Sequence, residues 1–191
     1  MLCGITPCAS VLLSLQQVGE EDSQQKLLAQ AEQTKQAFLD TFLNEYGYLY
    51  DYVDGNMMDW SVRPNMIFAV AFDYSPLSQD QKKQVLDICT RELLTPKGLR
   101  SLSPKSGGYN PVYVGPQTQR DYAYHQGTAW PWLGGFYMEA SLKLYKRTRL
   151  SFIERQMVGY ETKCLPTVSV PSANSSMETL HSQVVVPSLS P

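Results

Sequence analysis

Apolar residues recur at helical spacing in several stretches of the sequence, with polar residues between them. The clearest stretch runs from Ser23 to Leu43, where apolar residues alternate with a Gln/Lys/Glu face. Pro64 suits the first turn of a helix, and Ser78 and Thr128 suit helix caps. The pattern predicts helices over 23–43, 64–72, 79–94, 129–145 and 150–160.

The segments between these helices are rich in turn-forming and aromatic residues. Tyrosines alternate in NEYGYLYDYVDGN (44–56), which closes at Asp54-Gly55 and predicts a loop with a short extended arm. Residues 97–126 are rich in Gly, Pro and Ser and predict a long loop, which in a compact domain is usually functional or disordered. The chain is therefore predicted to be all-α, with long loops that carry the functional residues.

Composition argues against several classes of function. The 191 residues carry a net charge of −2 and scattered basic residues, which disfavours a nucleic-acid partner or an anionic membrane surface. No apolar run reaches the ~18–20 residues of a membrane span, and the start of the chain lacks the basic segment of a signal peptide. The four cysteines have neither metal nor redox spacing. We expect a cytoplasmic protein without a metal ion or cofactor.

Residues 120–135, RDYAYHQGTAWPWLGG, combine hydrogen-bonding side chains with flat aromatic ones. A sugar site needs both, because rings stack on the apolar face of a pyranose while fixed polar groups bind its hydroxyls. A second stretch, DWSVRPN (59–65), also precedes a predicted helix. Together they predict a polar ligand, most simply a carbohydrate. The residues concerned are Arg120, Asp121, His125 and Gln126 with Tyr122, Tyr124, Trp130 and Trp132, and Asp59, Trp60, Arg63 and Asn65.

Each of these residues also has an ordinary structural explanation, and only their clustering favours a binding site. The alternatives are a core position for Trp130 or Trp132, a structural His125, an Asp121 that pairs with Arg120 or caps a turn, and a simple Arg63–Asp59 ion pair. The nearby methionines Met57, Met58 and Met66 are expected to fill the core.

HQGTAWPWLGG and RPNMIFAV, with FIERQMVGYE further on, resemble the amylo-alpha-1,6-glucosidase domain of glycogen debranching enzymes over residues 20–161. The resemblance implies an alpha/alpha toroid of six helical hairpins, with the site at the mouth of the ring. It also implies inverting hydrolysis of alpha-1,6-linked glucose stubs on a glycogen-like alpha-glucan. The residues that fall in family-like motifs, and that the resemblance makes substrate-binding candidates, are Arg63, Asn65, Asp121, His125, Gln126, Trp130 and Trp132.

The catalytic residues of this chain stay unassigned. An inverting glycosidase needs an acid and a base carboxylate ~6.5–9.5 Å apart. The resemblance implies that the acid lies in a TWMD-like stretch before the matched region and the base in an ELFDG-like stretch after it, and neither stretch is present. No role is assigned to the carboxylates within the match, which include Asp51, Asp54, Asp59, Asp121 and Glu139.

Both ends of the chain depart from the family pattern in a way that suggests a change of reading frame. A family-like ELFDGNPPF can be encoded so that the frame one base later reads NSSMETLHS, residues 174–182. The same shift at the start lets MLCGITPCAS derive from ALWYNALCF, a family-like helix. We expect residues 1–10 to be an out-of-frame start, 11–161 to be part of the toroid glucosidase domain, and 162–191 to be an out-of-frame, disordered tail.

An incomplete toroid leaves apolar helix faces in water, at ~25 cal/mol per Å². A whole domain is stable by only ~5–15 kcal/mol, so the fragment is expected to be molten, aggregation-prone or dependent on a partner, and inactive alone. Two other interpretations stay open. One is a non-catalytic glucan-binding module, and the other is a helical interaction module whose aromatic cluster is core.

Overall fold

The computed structural model describes residues 21–164, with side chains described for 25–159. Six α-helices lie within that range: α1 Glu21–Phe42, α2 Ile67–Ala71, α3 Gln79–Glu92, α4 Gln117–Tyr124, α5 Pro131–Tyr145 and α6 Leu150–Cys164. Short strands lie between them: β1 Val53–Asp54, β2 Met57–Met58, β3 Leu94–Thr95, β4 Gly98–Arg100 and β5 Ala129–Trp130. Two 3₁₀ turns, Pro64–Met66 and Lys146–Arg149, precede α2 and α6. The predicted out-of-frame segments, 1–10 and 162–191, lie outside the described residues except for 162–164.

The mostly helical composition confirms the helical class, while the toroid stays a prediction. β1 and β2 form an antiparallel hairpin, which confirms the short extended arm predicted within 44–56. β3, β4 and β5 form a three-stranded antiparallel sheet in which Leu99 faces Trp130. No helix of the described residues is long and apolar enough to cross a membrane.

The core forms where α2, α3 and α5 pack together. The predicted cap of α3 is confirmed as a capping box, in which Ser78 and Gln81 exchange side-chain-to-backbone hydrogen bonds. The cap fixes where α3 begins. The apolar residues of the helix lie on one face, and that face points into the core. The side chains fully buried there include Ile67, Val70, Val85, Leu86, Cys89, Leu93 and Tyr137. Burial raises the pKa of the Cys89 thiol to about 12, so this cysteine is an inert core residue.

Two predicted element boundaries are wrong. The helix expected to begin after Thr128 begins at Pro131, because 129–130 instead pair with β4 as a strand. The Thr128 hydroxyl is buried and donates to the carbonyl of Ala123 at 2.9 Å. The predicted loop over 97–126 contains β4 and α4, neither of which has a periodic apolar pattern in the sequence.

The three methionines do not share one environment. Met66 is buried, as predicted. Met57 and Met58 are 64% and 46% exposed, so the core prediction is wrong for both. They form β2, which pairs with β1 in a two-stranded sheet. The hairpin presents them to solvent.

Candidate functional site

A depression of about 460 Å³ lies where three segments of the chain meet. The first segment, 51–65, contains the β1–β2 hairpin and the start of the turn before α2. The second is Ser101, which follows β4, and the third runs from the end of α4 to the start of α5. Its walls are formed by Asp51, Tyr52, Asp59, Arg63, Pro64, Asn65, Ser101, Tyr124, His125, Trp130, Trp132 and Leu133. Residues from distant parts of the sequence meet here only because the chain has folded.

A β-bulge directs two acidic side chains into the depression. The carbonyl of Asp59 accepts the N–H of Asp51 at 3.1 Å, and the N–H of Asp59 donates to the carbonyl of Tyr52 at 3.0 Å. Asp51 and Tyr52 thus lie opposite the single residue Asp59, which is the pattern of a β-bulge. Bulges often change the direction of side chains beside functional sites. All three residues line the depression, whereas the adjacent rings of Tyr50 and Trp60, 4.8 Å apart, do not.

The guanidinium of Arg63 joins the three segments. Its Nη1 donates to the carbonyl of His125 at 2.6 Å and to that of Ser101 at 3.3 Å. Its Nη2 donates to Oε1 of Gln126 at 3.4 Å. A planar fork of five donors suits such a junction, which an ammonium group could not span. Protein acceptors surround the guanidinium, so its geometry suits organising the depression more than reaching into it.

The two carboxylates are fixed by Arg63 and by local donors. The Nε of Arg63 lies 3.5 Å from Oδ2 of Asp51 and 4.0 Å from Oδ2 of Asp59. Asn65 donates to Oδ1 of Asp51 at 2.6 Å, and the N–H of Ser61 donates to Oδ1 of Asp59 at 3.0 Å. These side chains are only 16% and 19% exposed. Carboxylates fixed in this way can accept further hydrogen bonds from neighbouring hydroxyls of a ligand.

The two carboxylates and Arg63 form one wall of the depression, the carboxylate wall. Aromatic rings form the other, the aromatic wall. The ring centroid of Tyr124 lies 4.4 Å from that of Trp130 and 4.7 Å from that of His125. The indole N–H of Trp130 donates to the carbonyl of Tyr124 at 3.1 Å, which fixes the ring. Trp132 stacks on Phe68 of α2 with centroids 6.1 Å apart, yet it stays 58% exposed. It therefore presents ring surface to solvent at the rim.

Tyr113 supports this wall from behind. It is buried, and its ring centroid lies 5.9 Å from those of both Tyr124 and Trp130. Burial raises the pKa of Tyr113, so its hydroxyl keeps its proton and the wall stays neutral there. The fixed charges of the depression are thus the two carboxylates and the guanidinium between them.

The structure brings together most of the predicted binding residues. Arg63, Asn65, His125, Trp130 and Trp132 all line the depression. Gln126 contributes through its bond to Arg63 without lining it. Asp121 is exposed on α4 and does not line it.

The alternative explanations are settled in part. Trp130 is half-buried against the core, whereas Trp132 is an exposed residue and not core. The predicted Arg63–Asp59 ion pair is present but long, and Arg63 lies closer to Asp51.

Three lining residues, Asp51, Tyr52 and Ser101, lie outside the two stretches that the sequence singled out, 59–65 and 120–135. Asp51 was noted only as a carboxylate, and Tyr52 only as one of the alternating tyrosines. The bulge that turns both toward Asp59 has no signature in the sequence. Ser101 contributes its carbonyl to Arg63, a group that every residue possesses. Within residues 21–164, no group of three or more His, Cys, Asp or Glu side chains is arranged to hold a metal ion.

Comparison with known proteins places this chain in a family. The sequence model for amylo-alpha-1,6-glucosidase matches residues 8–170. A glycogen debranching enzyme of Saccharomyces cerevisiae is 32% identical over 90 residues, which is 43% of this chain and 6% of the yeast protein. The chain thus spans a small part of that relative. Because the family match covers most of the sequence, the chain belongs to the amylo-alpha-1,6-glucosidase family of glycoside hydrolases.

Proposed function

We propose that this chain is part of a glycogen-debranching alpha-1,6-glucosidase, and that the depression holds a glucose unit of a branch stub on an alpha-glucan. One observation carries the proposal: an exposed indole lines the same depression as two carboxylates that already accept hydrogen bonds from Asn65 and Ser61. Trp132 offers the apolar surface, while Asp51 and Asp59 offer acceptors for adjacent hydroxyls. A pyranose has an apolar face and a ring of hydroxyls, and it requires both.

The proposed parent reaction is hydrolysis with inversion, for which a second carboxylate must activate water across the sugar from the acid. Asp51 and Asp59 share one guanidinium and also accept hydrogen bonds from Asn65 and Ser61. We assign them to sugar binding and to holding Arg63. The acid and base are proposed to come from parts of a debranching enzyme that this sequence does not contain. The chain alone is then expected to bind glucan without cleaving it.

Titration with panose, a short glucan that has one alpha-1,6 bond, tests this function through tryptophan fluorescence and calorimetry. Cellobiose, which has a beta-1,4 bond, serves as the ligand control. Trp132→Ala is expected to weaken panose binding roughly three- to tenfold. Trp60→Ala is the matched control, because Trp60 is also exposed but lies outside the depression.

The outcomes separate the interpretations. Panose binding that Trp132→Ala weakens, without release of glucose, supports glucan binding in the depression, as both the enzyme fragment and the non-catalytic glucan-binding module require. The reading-frame test below separates these two. Release of glucose by the chain alone would show that its own carboxylates are sufficient for catalysis. No panose binding, with Trp130→Ala altering only folding, would favour the helical interaction module.

The reading-frame hypothesis is a separate proposal with its own test. We propose that 1–10 and 162–191 are translated out of frame and that 11–161 is the glucosidase portion. Resequencing the gene across the codons for residues 5–20 and 155–170 tests this. A corrected frame running through ALWYNALCF and SELFDGNPPF would support it, while an unchanged sequence with no such frame in the flanking bases would refute it.

A further inference from the structure

One acidic side chain is buried away from the depression. Glu92 is the last residue of α3 and its side chain is 6% exposed. No other Asp or Glu among the described residues is classed as buried. Its Oε1 accepts Lys105 Nζ at 2.6 Å and Arg91 Nε at 3.3 Å, and its Oε2 accepts the Ser103 hydroxyl at 2.8 Å. Burying a carboxylate is unfavourable unless donors satisfy it, and here three donors do so.

The segment that Glu92 holds is the bridge between the two walls of the depression. The N–H of Ser103 donates to the carbonyl of Val62, the residue before Arg63, at 3.0 Å. The N–H of Ser101 donates to the carbonyl of Thr128 at 2.9 Å. Residues 101–103 therefore bond on one side to the carboxylate wall and on the other side to the aromatic wall.

Two further bonds place Ser101 directly behind the site. Its hydroxyl accepts the N–H of Gly127 at 2.9 Å, next to the residues that carry His125 and Gln126. Its carbonyl accepts Nη1 of Arg63 at 3.3 Å. A displacement of this bridge would move the Arg63 guanidinium and the 125–130 segment relative to each other.

We propose that Glu92 is a positioning residue, which fixes the bridge 101–103 to α3 and so sets the separation of the two walls; this rests on the function proposed above. An apolar residue could fill the same space but could not orient the Ser103 hydroxyl. Val85, Leu86 and Cys89 anchor α3 in the core, so its last residue is a well-held attachment point for the bridge. Binding sites need such support because displacements below an ångström weaken a ligand's contacts.

The test compares Glu92→Leu, which leaves no acceptor for the Ser103 hydroxyl, with a variant that is destabilised elsewhere on the same helix. Val85→Ala leaves a cavity in the core, and Val85 does not line the depression. At a temperature where both remain folded, Glu92→Leu is expected to weaken panose binding roughly three- to tenfold, whereas Val85→Ala leaves the affinity unchanged. In the double variant with Ser103→Ala, the two losses of affinity are expected not to add, because both break one link.

A second measurement does not depend on any sugar. Amide hydrogen exchange at Ser101, Ser103 and Gly127 is expected to be faster in Glu92→Leu than in wild type, by more than in Val85→Ala. If these amides exchange at wild-type rates, Glu92 does not hold the bridge and the inference is overturned. If they exchange faster but panose affinity equals that of a binding wild type, the bridge does not position the site. If the wild type does not bind panose, the proposed function fails, and with it the positioning role.

Discussion

Replacing Arg63 with alanine is the most direct perturbation of the depression. The change removes the 2.6 Å hydrogen bond to the carbonyl of His125 and the cation that faces Asp51 and Asp59. Both carboxylates are partly buried and would lose the positive charge that faces them. Breaking a fully buried pair by removing one partner costs about 3–5 kcal/mol, so the lower end, about 3 kcal/mol, is expected for this partly buried group.

The weaker contacts of Arg63 change this figure little. The bonds to Ser101 and Gln126, at 3.3 and 3.4 Å, are near the limit for hydrogen bonds. The short bond and the uncompensated carboxylates therefore dominate the loss. About 3 kcal/mol is a large share of the ~5–15 kcal/mol that stabilises a domain. For a chain of this size it lowers Tm by roughly 6–12 °C.

The assay is urea unfolding at low protein concentration, followed by tryptophan fluorescence. Arg63→Lys is expected to lie between wild type and Arg63→Ala, because the ammonium keeps the charge but cannot span the same acceptors. Adding Asp51→Asn to Arg63→Ala is expected to recover about 1–2 kcal/mol, since it removes an uncompensated charge. Arg155→Ala, an exposed change on α6, should stay within about 0.5 kcal/mol of wild type.

Two results would refute this reasoning. A loss below about 1 kcal/mol in Arg63→Ala would mean that water satisfies the carboxylates and that Arg63 does not organise the depression. Strict additivity with Asp51→Asn would mean that the two side chains do not interact, despite the 3.5 Å separation of their atoms.

Three further predictions concern the rest of the fold. Burial acts to raise the pKa of Glu92, but its hydrogen bonds outweigh burial and hold the pKa below the ordinary 4.5. The free energy of unfolding in urea should therefore be about 1–3 kcal/mol larger for wild type than for Glu92→Gln above that pH, and this difference should be lost as the pH falls below it. Gly98→Ala should cost more than about 2 kcal/mol in urea unfolding and disturb Trp130 emission, because Gly98 has φ +126° and a Cβ there would meet the Trp130 carbonyl. Gly107→Ala is the control, since a Cβ at Gly107 meets nothing. Because many large apolar side chains are exposed, light scattering should show association as the chain is concentrated, and a chain that stays monodisperse would contradict this.

Local signals in the sequence located the described helices apart from α4. The period of apolar residues and the Ser78 cap predicted α1 and α3 closely, because both depend on residues a few positions apart. The start of α5 was misplaced because a strand pairing across about thirty residues competes with the Thr128 cap. Tertiary contacts of this kind override local propensity, and no window along the sequence contains them.

The candidate site was predictable in its side chains but not in its geometry. Clustering of rings and polar groups identified Trp130, Trp132 and His125. The bulge that brings in Asp51 follows from backbone pairing, which side-chain patterns do not reveal. The role of Glu92 could not be predicted either, because its partners Ser103 and Lys105 lie in a segment with no helical period.

The two sequence motifs of this site form one physical unit, joined through a backbone carbonyl. Arg63 opens the motif RPNMIFAV, and His125 and Gln126 open the motif HQGTAWPWLGG. Arg63 donates to the carbonyl of His125 and to the side chain of Gln126. The first motif thus requires the position of residue 125, not its imidazole. His125→Ala keeps that carbonyl, so it is expected to change urea stability by less than about 1 kcal/mol while weakening panose binding, because the ring that contacts Tyr124 is lost. If His125→Ala instead unfolds the chain as Arg63→Ala does, the ring and not the carbonyl holds the motifs together.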